Sequence, residues 1–259
     1  MVTTSQPLPT LWILTALLTG CTADAERPRY GDKDTGSDTG GDTGEAPVET
    51  AQPAEYCGAC PCDAIGVGDG PAYCIDAYED LLYSEYGNLD QGPDYPDGST
   101  LGWPKSLPDV MPSINVSWYQ AVAMCENVGK RLCTMSEWQD ACDGQIGEGG
   151  ALYPWGESPE PDRVCAAPNH LDVSDYATLQ RTGSLPDCRT PSGVYDQVGN
   201  AWEWVDPEQT DEDGRPVAAK VGGAYYLGYG STACGAPPIT DHPPEFEGTI
   251  AVRCCADAH

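Results

Sequence analysis

Basic residues are scarce in this chain. Lys and Arg together number 12 against 41 Asp and Glu, a formal net charge of −29 over 259 residues. That balance argues against a nucleic-acid ligand, whose phosphates it would repel. It equally argues against charge-driven docking on an anionic membrane surface, and it is compatible with hard cations such as calcium. Histidine is scarce too. His170, His242 and His259 are scattered with no H-x-x-x-H pair, so a histidine-built zinc or iron centre is not expected. There is no G-x-S-x-G elbow, no phosphate-cradling loop and no internal repeat. The apolar run LWILTALL at 11–18 is too short to span a bilayer as a mature helix.

Cysteine, by contrast, is plentiful: 13 residues, at 21, 57, 60, 62, 74, 125, 133, 142, 165, 188, 234, 254 and 255. So many in a chain of this size point to export into an oxidising compartment and a disulfide framework. The apolar run leads straight into Leu18-Thr-Gly-Cys21, which resembles a bacterial lipoprotein cleavage box with Cys21 as the lipidated residue. Residues 1–20 contain no Lys or Arg, so the usual positive start of a signal peptide is missing. Thr22, rather than Asp, follows the cysteine, which resembles an outer-membrane address. Setting Cys21 aside leaves an even twelve, as a fully paired set requires.

Three segments are expected. Residues 1–20 read as a lipoprotein signal peptide. Residues 21–56 are Asp/Gly/Thr-rich and almost free of large apolar side chains, so they read as a lipid-anchored disordered tether, a solvated linker in preference to spaced aspartates that bind calcium weakly. Residues 57–259 form the globular domain. Two helices are legible there. Ser117 with Gln120, and Thr134 with Glu137, make capping boxes ahead of helical apolar spacing. Trp118, Ala121, Val122, Cys125 and Val128 share one face, and Gly129 stops that helix. Trp138, Ala141 and Cys142 share a face of the other, so Cys125 and Cys142 both point inward. Beyond residue 145 the composition predicts many loops and short strands, a domain that relies on staples. The adjacent Cys254 and Cys255 are not expected to bond each other, because the small ring forces poor geometry.

Four stretches, VSWYQAVAMCENVGKRLCTMSEWQDAC (116–142), YPWG (153–156), GVYDQVGNAWEWV (193–205) and VGGAYY (221–226), resemble in order and spacing the formylglycine-generating enzyme family, also called the sulfatase-modifying factor family. AYCIDAYED (72–80) is similar to its domain start and AVRCC (251–255) to its C-terminal end, so the resemblance covers about residues 72–255. It implies an α+β, C-type-lectin-related fold, loop-rich and disulfide-stapled. It also implies an oxidase that converts a sulfatase cysteine to formylglycine, with two thiolates holding soft Cu(I). The positions matching those two cysteines are Leu227 and Thr232, so copper is not expected here; Cys234 would serve only in a shifted register.

The resemblance implies two disulfides, Cys142–Cys234 and Cys125–Cys254. Cys133 and Cys255 are additions to the family pattern and are expected to pair, as are Cys165 and Cys188. Cys57, Cys60, Cys62 and Cys74 are expected to form two local bridges, with a four-cysteine zinc site as the alternative. The resemblance also implies a structural calcium, with side-chain oxygens from Asp196 and Glu203 and carbonyls from Gly199 and Ala201. The alternative is that Glu203 merely pairs with an arginine. Asn169, Asp172 and Asp175 match a second family calcium site poorly. The expectation is therefore an outer-membrane lipoprotein of the cell envelope, a binding or structural module for a peptide, glycan or envelope protein, without copper oxidase activity. The alternatives are an active oxidase of an exported sulfatase-type substrate and a purely structural surface protein.

Overall fold

The computed structural model describes residues 53–68, 70–84, 87–88, 102–144, 152–156, 165, 178–228, 232–241 and 248–259. The chain divides into two units, Met1–Gly44 and Glu45–His259, and every described residue belongs to the second. Cys21, residues 1–20, the tether up to residue 52, and Asn169, Asp172 and Asp175 lie outside the described residues.

Both helices start at their capping boxes. Helix α1 (Trp118–Asn127) has Ser117 in extended conformation at its N-cap, its hydroxyl accepting from the Gln120 amide while the Ser117 amide donates to Gln120 Oε1 at 2.8 Å. Helix α2 (Met135–Asp143) repeats the arrangement with Thr134 and Glu137 and ends at Gly144, whose φ is 74°. Each box satisfies two amides that the first turn leaves without intrahelical partners. α1 buries Trp118, Ala121 and Cys125 as the spacing requires, and adds Gln120 and Met124. Val122 is only partly buried, because it falls at the edge of a stripe centred on positions 121, 124, 125 and 128.

In chain order the strands are β1 (Ala64–Val67), β2 (Tyr73–Asp76), β3 (Asp80–Ser84), β4 (Gly87–Asn88), β5 (Gly102–Ser106), β6 (Arg131–Leu132), β7 (Trp202–Val205), β8 (Ala218–Val221), β9 (Ile239–Asp241), β10 (Ile250–Ala251) and β11 (Cys254–Asp257). They form three sheets among the described residues: β1-β2-β11-β6, β10-β7-β8-β9 and β4-β3-β5. All pairings are antiparallel except β10 with β7. The result is a loop-rich α+β domain of very short strands, in which β11, near the end of the chain, sits between β2 and β6.

That position explains the adjacent cysteines. Successive residues of a strand face opposite sides of the sheet. Cys254 therefore faces α1 and bonds Cys125, while Cys255 faces the other way and bonds Cys133. The two sulfurs belong to two different apolar clusters. Cys254 packs with Leu82, Val116, Met124, Trp202 and Trp204; Cys255 packs with Ile75, Trp138, Val194, Val205 and Val221. The remaining bridges are Cys142–Cys234, Cys165–Cys188, Cys57–Cys62 and Cys60–Cys74. The last two leave no thiolate for the four-cysteine zinc alternative. Residues just before Cys57 also bond to this domain. The Ala54 amide donates to Val128 O at 2.9 Å, and the Cys62 amide donates to Glu55 O at 2.8 Å, so residues 54–56 are built into the domain.

Candidate functional site

The loop 193–201 turns twice through left-handed backbone at non-glycine residues, with φ of 62° at Asp196 and 56° at Asn200. Such positions hold only where surrounding contacts fix them. Here Glu79, in the turn between β2 and β3, holds the second of them. Its Oε1 accepts the Ala201 amide at 3.0 Å and its Oε2 accepts from Asn200 Nδ2. The Asp196 carboxylate accepts the Gly183 amide at 2.6 Å. β7 then carries Glu203 inward, where it meets Arg253, the residue preceding β11.

Arg253 is fully enclosed. Its Nε donates to Glu203 Oε2 at 2.8 Å and its Nη2 to Glu203 Oε1 at 2.7 Å, a two-point grip on the carboxylate. Its other N–H groups donate to the carbonyls of Asp76 and Tyr195, each at 2.8 Å. Trp138 Nε1 adds a donor to Glu203 Oε2 at 2.6 Å. The pairing of Glu203 with an arginine, weighed against calcium in the sequence, is thus a feature of the site. Arg253 and Glu79 were not singled out from sequence; the signal available was an arginine between apolar residues and two core cysteines.

Three carboxylates, Glu79, Asp196 and Glu203, therefore surround one guanidinium, and relative exposure is 0% for Glu79, Glu203 and Arg253 and 5% for Asp196. Burial, with Glu203 adding repulsion, pushes the Asp196 carboxyl up to about 7, although the Gly183 amide and Arg253 pull the other way. Burial, then Asp196 and Glu203, hold Glu79 well above the usual carboxylate range. Burial opposes the Arg253 cation, but Glu203, Glu79 and Asp196 together more than offset it, so its pKa lies above the ordinary arginine value. A substrate cannot reach groups this enclosed, so the cluster is suited to holding the fold or a cation and not to acid–base turnover.

The fit to calcium can be counted. A carboxylate offers about four lone-pair sites. Glu203 uses one on Oε1 and two on Oε2, and Asp196 uses one on Oδ2. By that count Asp196 keeps Oδ1, and Glu203 keeps one lone pair on Oε1, for a hard cation. The two carbonyls expected beside them, Gly199 and Ala201, lie in the same loop.

The positions implied for copper are built differently. Leu227 is half-buried against the cluster containing Ala224, Trp202 and Met124, and its amide donates to Ala224 O at 2.8 Å. Thr232 is fully buried against Gly223, whose φ is +77°; a Cβ there would lie 2.3 Å from Thr232 Cγ2. Cys234, the shifted-register candidate, is bonded to Cys142 of α2. Every cysteine among the described residues is in a disulfide. Of the aromatic-rich stretch 225–230, Tyr225 and Tyr226 pack edge to face, and Tyr226 is 48% exposed; residues 229 and 230 lie outside the described residues.

Residues 78–258 match the family model described as the sulfatase-modifying factor enzyme 1-like domain. The formylglycine-generating enzyme of Bos taurus is 31% identical over 185 residues, covering 64% of this chain and 48% of that protein. The inactive C-alpha-formylglycine-generating enzyme 2 of Bos taurus is 39% identical over 98 residues, covering 36% of this chain and 32% of that protein. The chain thus spans about half the length, or less, of these curated relatives. A crystal structure of CarF aligns over 79% of this chain and 95% of that one, with a TM-score of 0.49 and 18% identity.

Proposed function

Because the chain belongs to the sulfatase-modifying factor family, we propose that it is a cell-envelope member that has lost the copper oxidase chemistry and acts as a binding or structural module. One observation carries this reading. At the two positions implied for copper stand Leu227 and Thr232, and the neighbouring Cys234 is bonded to Cys142. Cu(I) selects soft thiolate ligands, and a disulfide sulfur is not one. That one of the relatives carries the word inactive in its name supports this reading. The exposed Tyr226 edge offers an aromatic surface for a peptide, glycan or envelope protein. The Leu18–Cys21 box and the disulfide density support lipid anchoring at the outer membrane.

Calcium completes the reading. Asp196 and Glu203 would hold it with the carbonyls of Gly199 and Ala201, and it would neutralise acid that Arg253 alone leaves in excess. The chain's own groups do the positioning: Glu79 fixes the loop through Asn200 and Ala201, and Arg253 fixes Glu203. The test of function is oxygen uptake by the copper-supplemented full chain in the presence of a cysteine-containing sulfatase-type peptide. Uptake no greater than copper and peptide alone is expected. Turnover to a formylglycine product would overturn the proposal.

A further inference from the structure

A second acidic cluster lies across β2, β3 and the α1–β6 connection. Asp76, the last residue of β2, and Asp80, the first of β3, are both fully buried. Lys130 donates to Asp76 and, at 2.8 Å, to Asp63, whose side chain is a third exposed. One ammonium thus serves two carboxylates, and Asp80 is left over. Neither Asp80 oxygen has a hydrogen-bond partner. Its backbone is nevertheless held at both ends. Its amide donates to Val252 O at 2.8 Å and its carbonyl accepts from Ser113 N at 3.0 Å, so its backbone is fixed in β3 with the side chain buried. A carboxylate oxygen of Asp80 lies within 4.8 Å of one of Asp76 and of Cys254 Sγ. The sulfur is already bonded to Cys125 and offers no thiolate. Asp76 Oδ2 accepts only a long 3.3 Å bond from the Cys254 amide, which leaves it lone pairs to spare.

We propose that Asp76 and Asp80 hold a hard divalent cation, calcium in kind, at a site separate from that of Asp196 and Glu203. A buried carboxylate without partners costs several kcal/mol in general. Taking up a proton would remove the charge of Asp80 alone. A cation between the two carboxylates satisfies both oxygens and the charge together, and oxygen ligands suit a hard ion. Arg253 and Lys130 lie close enough to temper the field but are spent on Glu203, Asp63 and Asp76.

The probe is calcium itself, titrated into the chelator-treated full chain, with bound calcium counted by equilibrium dialysis and the melting temperature followed in parallel. The wild type is compared with Asp80→Asn, Asp196→Asn and the double variant. Asp80→Asn is expected to bind one calcium fewer than wild type and, in chelator, to melt no lower, since it removes an unpaired charge. Asp196→Asn is expected to lose a different equivalent and to keep a calcium-dependent rise in melting temperature that the double variant lacks. The inference is overturned if Asp80→Asn binds as much calcium as wild type, or if the Asp196→Asn protein shows no calcium response. Loss in Asp196→Asn alone would sink only this site, and loss in Asp80→Asn alone only the other. Should Asp80→Asn fail to fold, the Asp196→Asn background still decides the matter.

Discussion

At the residue scale, the domain is governed by charges placed where water cannot go. Arg253 is the clearest case. Its guanidinium is fully buried and spends its N–H groups on Glu203, Asp76 and Tyr195. Arg253→Ala would strand the Glu203 carboxylate beside Glu79 and Asp196, and breaking a buried pair in this way costs about 3–5 kcal/mol. The prediction is a loss of that size in urea unfolding, with Glu203→Gln costing less because Gln keeps an acceptor for Trp138. Gly223 makes a steric claim of the same order. With φ at +77° and Thr232 in the space of a Cβ, Gly223→Ala is expected to destabilise by more than about 1 kcal/mol. A melting temperature unchanged in that variant would mean that the 220–234 segment packs otherwise. Little of this was legible in the sequence. The Glu203 partner was foreseen only as some arginine, since nothing local marks which distant residue a buried carboxylate will meet.

At the element scale, the helices were legible and the sheets were not. Capping boxes are written in four consecutive residues, so Ser117–Gln120 and Thr134–Glu137 declare both helix starts. The strands are two to five residues long, and most are buried on both faces, as in β2 and β7, so no alternation reveals them. Their pairing joins segments as distant as β2 and β11, which no local pattern encodes. The α2 cap also predicts a pH dependence. Burial alone would raise the Glu137 carboxyl, but hydrogen bonds from Arg131 and Thr134 hold it below its usual value. A carboxylate with a depressed folded pKa contributes stability above its unfolded pKa and loses it as pH falls through the folded value. Glu137→Gln is therefore expected to cost about 1 kcal/mol at neutral pH, the ordinary worth of a cap. That difference should shrink toward zero below the usual glutamate range, as read by thermal unfolding at the two pH values. A difference that stayed constant with pH would assign the effect to packing.

At the scale of the whole molecule, the disulfides connect what the short strands cannot. Cys125–Cys254 and Cys133–Cys255 close loops of 129 and 122 residues from adjacent positions on β11. Removing a bridge such as Cys133–Cys255, by changing both cysteines to alanine, is expected to cost about 2–5 kcal/mol. An unchanged unfolding midpoint would argue that the bridge is incidental. The pairs implied by the family resemblance, and the pairing of the two added cysteines, are those present; the partners within the first four cysteines were left open by the sequence because they lie too close together to rank. The same bridges carry the functional reading, since they use every described cysteine that copper would need. The most direct measurement is a free-thiol count on the unreduced full chain, by alkylation under denaturing conditions and peptide mass spectrometry. The account predicts no alkylated cysteine from Cys57 to Cys255. Alkylation of Cys142 and Cys234 would contradict it and return a metal-binding thiol to the 220–235 segment.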